Sequence, residues 1–153
     1  MKGKNMQTKT KIDRNTRTLI LKYIRKYESY KQWYEDERDK ILCVSSQDLD
    51  NLDMPRGTTL SDSTSSSAEM LEKLDSSHRA TVVKAIEDAR EALGYEIADE
   101  KARGSLKLAI WLSCIDGRMY PFEAFAGTVC YERTQFYTKK NEFIASIGSK
   151  IGI

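Results

Sequence analysis

Between Ile20 and Ile41 the large apolar and aromatic residues fall on one seam. Ile20, Tyr23, Tyr27, Tyr30, Tyr34 and Ile41 are separated by steps of three, four, three, four and seven. That spacing holds a single stripe along one side of an α-helix, and it excludes a strand, whose faces alternate every residue. Ile24 and Trp33 widen the stripe, and Lys22, Arg25, Lys26, Lys31 and Arg38 occupy the opposite face. The helix is expected to begin near Asp13 or Asn15, both good N-caps, and to run to about Leu42. A helix of that length needs a partner, so a helical hairpin or a coiled coil is expected, within one chain or between two.

The pattern breaks over 43–66, where Asp50, Asn51, Asp53, Pro55, Arg56 and Gly57 are turn formers and the run SDSTSSS follows from Ser61. This segment is expected to be a flexible Ser-rich linker. A second helix should begin near Ser66 or Ser67. Its seam is Leu71, Leu74, His78, Val82, Ala85 or Ile86, Ala89 and Leu93, with a break possible at Ser76–Ser77 and a stop at Gly94. A third helix is expected from about Ala98 to Ile115. Leu106, Ala109, Ile110, Trp111 and either Leu112 or Ser113 supply its apolar surface, and Lys101, Arg103 and Lys107 its polar one. No stretch alternates with period two long enough to argue for a sheet. The predicted fold is therefore all-α: a basic tail and long helix over 1–42, the linker over 43–66, and a helical domain over 67–153.

The chain of 153 residues is 40% hydrophobic and 31% charged, which allows a modest core and gives no apolar run of membrane-spanning length. The basic start, MKGKNMQTKTKIDRN, lacks the apolar stretch of a secretory signal. Cys43, Cys114 and Cys130 are odd in number and lack metal-ligand spacing, which suits reduced thiols in a cytoplasmic protein. The single histidine, His78, is expected on or near the apolar seam without a metal partner. No paired carboxylates with a defined pocket, Gly-rich phosphate loop, nucleophile–base pair or metal motif is present, which argues against an enzyme and against a bound cofactor.

The net charge of +2 conceals an asymmetry. Residues 1–42 hold 12 Lys/Arg against 6 Asp/Glu, and 98–153 hold 8 against 6, whereas 43–66 hold 1 against 4 and 67–97 hold 4 against 7. Basic ends around an acidic middle suit contact with an anionic polymer, although a Lys-rich helix face also serves simply as a solvated one.

The segment Tyr120 to Ile153, YPFEAFAGTVCYERTQFYTKKNEFIASIGSKIGI, carries the most functional information. Residues 122–148 are expected to form a helix-turn-helix. Its first helix would run from Phe122 to about Val129, with Phe125 and Val129 inward and the small Ala126 where the helices approach. Cys130 occupies the turn and Tyr131 plugs it. The second helix would start at about Glu132 and bury Phe136, Phe143, Ile144 and Ile147. Arg133, Thr134, Gln135, Tyr137, Thr138, Lys139 and Lys140 are then the candidates for DNA. Arg and Gln can make bidentate contacts to guanine and adenine edges, while Tyr137, Lys139 and Lys140 suit phosphate oxygens.

With YIRKYESYKQWYEDERDKIL in the first helix, REALG closing the second and IDGRMYP leading into EAFAGTVCYERTQFYTKKNEFIASIG, the chain resembles the RinA/ArpU-type regulators of phage late genes. The C-terminal part of that family is similar to the promoter-reading region of a sigma factor. In the family this segment carries a serine–arginine start to the recognition helix, then a Phe-Tyr pair and a basic run. Arg133, Phe136, Tyr137, Lys139 and Lys140 match those positions. The chain departs from the pattern at Cys130, where a turn glycine is usual, and at Glu132, where a small hydroxyl residue is usual. The resemblance implies a transcriptional activator of structural or packaging genes in a bacterial host cell, bound to double-stranded DNA, with RNA polymerase as a further partner; on that reading the first long helix and its basic tail add phosphate contacts or mediate self-association.

Two other classes fit the same sequence. A small-terminase-like packaging component also combines a helix-turn-helix with long helices, but assembles into rings. A helical scaffold would use its basic face for solubility alone, and the low net charge favours that reading over a strongly basic DNA-binding domain.

Overall fold

The computed structural model describes residues 11–50, 60–115, 122 and 131–153, and of 44–50 and 60–64 the backbone alone. Six helices occur among the described residues: α1 (Arg14–Arg25), α2 (Tyr27–Asp50), α3 (Leu60–Asp75), α4 (His78–Ala92), α5 (Glu100–Ile115) and α6 (Arg133–Ile151). No described residue lies in a strand, in agreement with the all-α expectation. No described helix is long and apolar enough to cross a membrane.

The chain forms two compact units, one of Lys26–Lys84 and one of Met1–Arg25 with Ala85–Ile153. Their division does not follow the expected segments 1–42, 43–66 and 67–153, because α1 belongs with the C-terminal helices.

In the first of these units α2 packs on α3. Tyr34 donates its hydroxyl to Asp75 Oδ1 at 2.5 Å. The Arg79 guanidinium lies over Trp33 at 4.9 Å and over Tyr30 at 5.5 Å, so the aromatic stripe is partly covered by a cation. Tyr27, Leu74, Ala80, Val82 and Val83 are buried. Two expectations are corrected here. The first long helix is divided by a turn at Lys26 and its second part reaches Asp50, beyond Leu42. The Ser-rich stretch expected as linker is helical from Leu60 onward, while 51–59 lies outside the described residues. Serine costs only about half a kcal/mol per position in a helix, and packing of α3 on α2 outweighs that preference.

The break at Ser76–Ser77 is present, and Ser77 caps α4 by accepting from Ala80 N–H at its Oγ, 3.3 Å away. This cap makes His78 the first residue of α4 and leaves it exposed, not on the seam, which passes instead through Val82, Ala85, Ile86, Ala89 and Leu93. Gly94 ends the turn after α4 with φ of 73°, a left-handed conformation that an L side chain rarely adopts.

The other unit packs α1 against both α5 and α6. Asp13 caps α1, accepting from Asn15 N–H at 3.2 Å, and Asp99 caps α5, accepting from Lys101 N–H at 3.2 Å. The core is built from Ile20 and Ile24 of α1, Ile86 and Ala89 of α4, Leu106, Ala109, Ile110 and Cys114 of α5, and Phe136, Phe143, Ile144 and Ile147 of α6. Ser113, not Leu112, faces inward on α5, with its hydroxyl donating to the Ile110 carbonyl at 2.8 Å. Arg90 stacks on Trp111 at 4.2 Å, and Lys107 donates to the Glu91 carbonyl at 3.1 Å, which joins α4 to α5.

Candidate nucleic-acid interface

The second helix expected from about Glu132 is α6, which starts at Arg133, one residue after Glu132. Glu132 is its N-cap in extended conformation and shares a capping box with Gln135, whose Oε1 accepts from Glu132 N–H at 3.3 Å. The departure from a small hydroxyl residue at 132 therefore has a structural use: in the capping box the carboxylate faces the Gln135 backbone amide at the positive end of the helix. The first helix of the expected pair, with Phe125, Ala126 and Val129, lies outside the described residues, as does Cys130. Of that stretch only Phe122 is described, its ring 5.6 Å from the Phe136 ring.

Phe136 is fully buried and anchors the start of α6. Tyr137 meets it edge to face at 5.6 Å and is half-buried. Around this anchor Arg133, Thr134, Gln135 and Thr138 are exposed. Helical geometry places Thr134, Thr138 and Asn141 on successive turns of the outer face, with Gln135 and Glu142 beside them. The outer stripe is thus polar and largely neutral. Thr138 bends its hydroxyl back to the Thr134 carbonyl at 2.9 Å.

The two expected phosphate-binding lysines stand on opposite flanks of α6, half-buried and engaged with their own protein. Lys139 forms an ion pair with Glu96 at 2.5 Å and a longer one with Glu142 at 3.5 Å. Tyr131, at the expected turn-plugging position, also donates to Glu96, at 3.0 Å. The hydrogen bond from Lys139 is the largest of the effects that hold the Glu96 carboxyl below its ordinary range, and the same bond raises the Lys139 ammonium. Lys140 instead donates to the Ser113 carbonyl at 3.1 Å. Burial lowers its pKa, and the Arg17 charge lowers it further. The Cys114 thiol beneath is raised by burial.

Glu96 and Arg17 are the participants that sequence reasoning missed. Glu96 precedes α5 and carries no motif. Arg17 lies on α1, and its Nη1 donates to Asn141 Oδ1 on α6 at 2.5 Å across 124 residues of chain. No spacing rule pairs residues so far apart. Among the described residues no group of three His, Cys, Asp or Glu side chains is placed to hold a metal ion. The chain matches no protein-family model, no curated protein and no solved structure, so the geometry of α6 and its neighbours carries the functional argument.

Proposed function

We propose that this protein is a sequence-specific DNA-binding transcriptional regulator of the RinA/ArpU type, acting in a bacterial host on phage late or packaging genes. The observation that carries the reading is the presentation of the α6 N-terminus. Phe136 is sealed in the core while Arg133, Thr134, Gln135 and Thr138 project from the first turns. An anchored helix with exposed polar residues at its start suits entry into a major groove. Arg133, exposed at the first position of α6, suits a guanine edge. Gln135 reaches an adenine only by giving up its capping contact, and Lys139 reaches a phosphate only by leaving Glu96. RNA polymerase and further copies of the chain are the proposed protein partners.

The test is binding of labelled genomic fragments over a range of salt, followed by footprinting of the retained fragment. A protected site whose affinity falls steeply with salt supports the reading. Absence of binding at low salt leaves the helical scaffold, which the internal engagement of Gln135 and Lys139 favours. A ring-sized mass in solution together with DNA binding would favour the small-terminase-like alternative.

A further inference from the structure

Arg17 bonds to the residue next to Lys140, where α1, α5 and α6 meet, and its charge acts on the Lys140 ammonium. Arg17 gives one Nη1 hydrogen bond to Asn141 Oδ1, and Lys140 gives one to the Ser113 carbonyl at 3.1 Å. Both acceptors are neutral oxygens. Among the described residues no carboxylate pairs with either cation; the buried Cys114 thiol is the group that favours the Lys140 charge, against burial and the Arg17 charge. The contrast with Lys139, the adjacent residue on the same helix, is direct: its charge is answered by Glu96. Two like charges held together and half out of water disfavour each other, and an anion between them removes that cost. The donors left over suit an oxyanion. The Lys140 ammonium has two further N–H groups, the Arg17 guanidinium has its remaining fork, and the Asn141 amide has its NH2.

We propose that Arg17, Lys140 and Asn141 form a phosphate-binding site, and that its ligand is a backbone phosphate of the duplex read by α6. The identity of the polymer rests on the DNA-binding reading above, whereas the oxyanion site does not. Arg14 and Arg25 make no ion pair among the described residues and extend positive charge along α1 beside Arg17. The site brings α1 into the interface as a backbone clamp beside the reading helix, fixing register without reading sequence.

The experiment uses the full chain and two probes. Inorganic phosphate is titrated at constant ionic strength against a chloride control, with the Asn141 side-chain amide followed by NMR. A saturable shift is expected, lost in Arg17→Gln and in Lys140→Gln but kept in Lys22→Gln, which removes the same charge elsewhere on α1. Each variant is first checked to melt as a folded protein, and Arg17→Lys, which retains the charge, should keep part of the shift. A shift absent in the wild type, or lost equally in Lys22→Gln, overturns the site. In the second arm, affinity for a random-sequence duplex is measured against salt. Loss of either cation should reduce the log–log slope by about 0.9, the release expected for one phosphate contact. Phosphate binding with an unchanged slope overturns the backbone assignment in favour of a free phosphate. Phosphate binding with no duplex bound at any salt overturns the DNA reading and leaves the site standing.

Discussion

Gly148 of α6 sits directly against Ile20 of α1: a β-carbon at position 148 would stand 2.8 Å from Ile20 Cδ1. Ile20 is fully buried, so moving its terminal methyl aside disturbs the core packed around it. The absence of a side chain at 148 therefore sets how closely α1 and α6 approach, and with it the position of Arg17 beside Asn141. Gly148→Ala gains about 1 kcal/mol of helix propensity but overpacks the contact by about 1–3 kcal/mol. The expected net effect is a lower denaturation midpoint. Ile20→Val removes the clashing methyl, so the double variant should recover stability relative to the sum of the single changes. Strict additivity in the four-way cycle would show that the two residues do not touch.

Phe136 is the anchor of α6, and its removal should be severe. Phe136→Ala is expected to cost about 3–5 kcal/mol of folding stability, read as a shift of the urea midpoint. A midpoint unchanged from wild type would remove the basis for an anchored reading helix.

Arg133→Ala tests base readout separately from folding. Arg133 is exposed at the first position of α6. The variant should melt near the wild-type temperature and lose about 1–3 kcal/mol of discrimination at one base pair. Selection of bound sequences from a random pool would detect this as a single relaxed position, and an unchanged selected motif would count against the assignment. Gln135→Ala should relax a neighbouring position but also lower stability, since Gln135 completes the capping box.

The Glu96–Lys139 pair predicts a pH window. Glu96 is held below its ordinary range, so its contribution to stability is present above the unfolded value of about 4.3 and is lost as pH falls through the depressed folded value. Lys139 is raised, so its contribution is present below about 10.4 and is lost as pH rises through the raised folded value. Glu96→Gln should therefore destabilise the protein at pH 7 and converge with wild type in strong acid. The same variant releases Lys139, and non-specific DNA affinity should rise. Denaturation curves of the two proteins that stay parallel from neutral to acid pH would rule out the pair as a stabilising contact.

Lys140 predicts the trend opposite to that of Lys139. Its pKa is lowered in the folded state, so the unfolded chain binds its proton more tightly and stability should rise as pH increases through the lowered value towards about 10.4. Lys140→Met keeps the buried stem, removes the charge and should abolish that rise while holding or raising the melting temperature at neutral pH. A Lys140→Met protein that retained the alkaline gain in stability would assign it to another group.

The helical class and the core of α4, α5 and α6 were legible in the chain itself. Apolar residues at three- and four-residue steps encode a buried face locally, and Val82, Ile86, Ala89, Leu106, Ile110, Phe136, Phe143, Ile144 and Ile147 all lie where that periodicity puts them. Caps are equally local, which is why the break at Ser76–Ser77 and the stop at Gly94 were readable. Composition misled over the Ser-rich stretch, because weak propensities yield to packing, and α3 is helical from Leu60. Only the tertiary structure decided the partners of the cations. Lys139 and Lys140 are adjacent and chemically identical in sequence, yet one lies against Glu96 and the other against Ser113 and Arg17. A hundred degrees of helical rotation separates them. Long-range packing chooses which flank meets a carboxylate and which meets another cation, and no local pattern carries that choice.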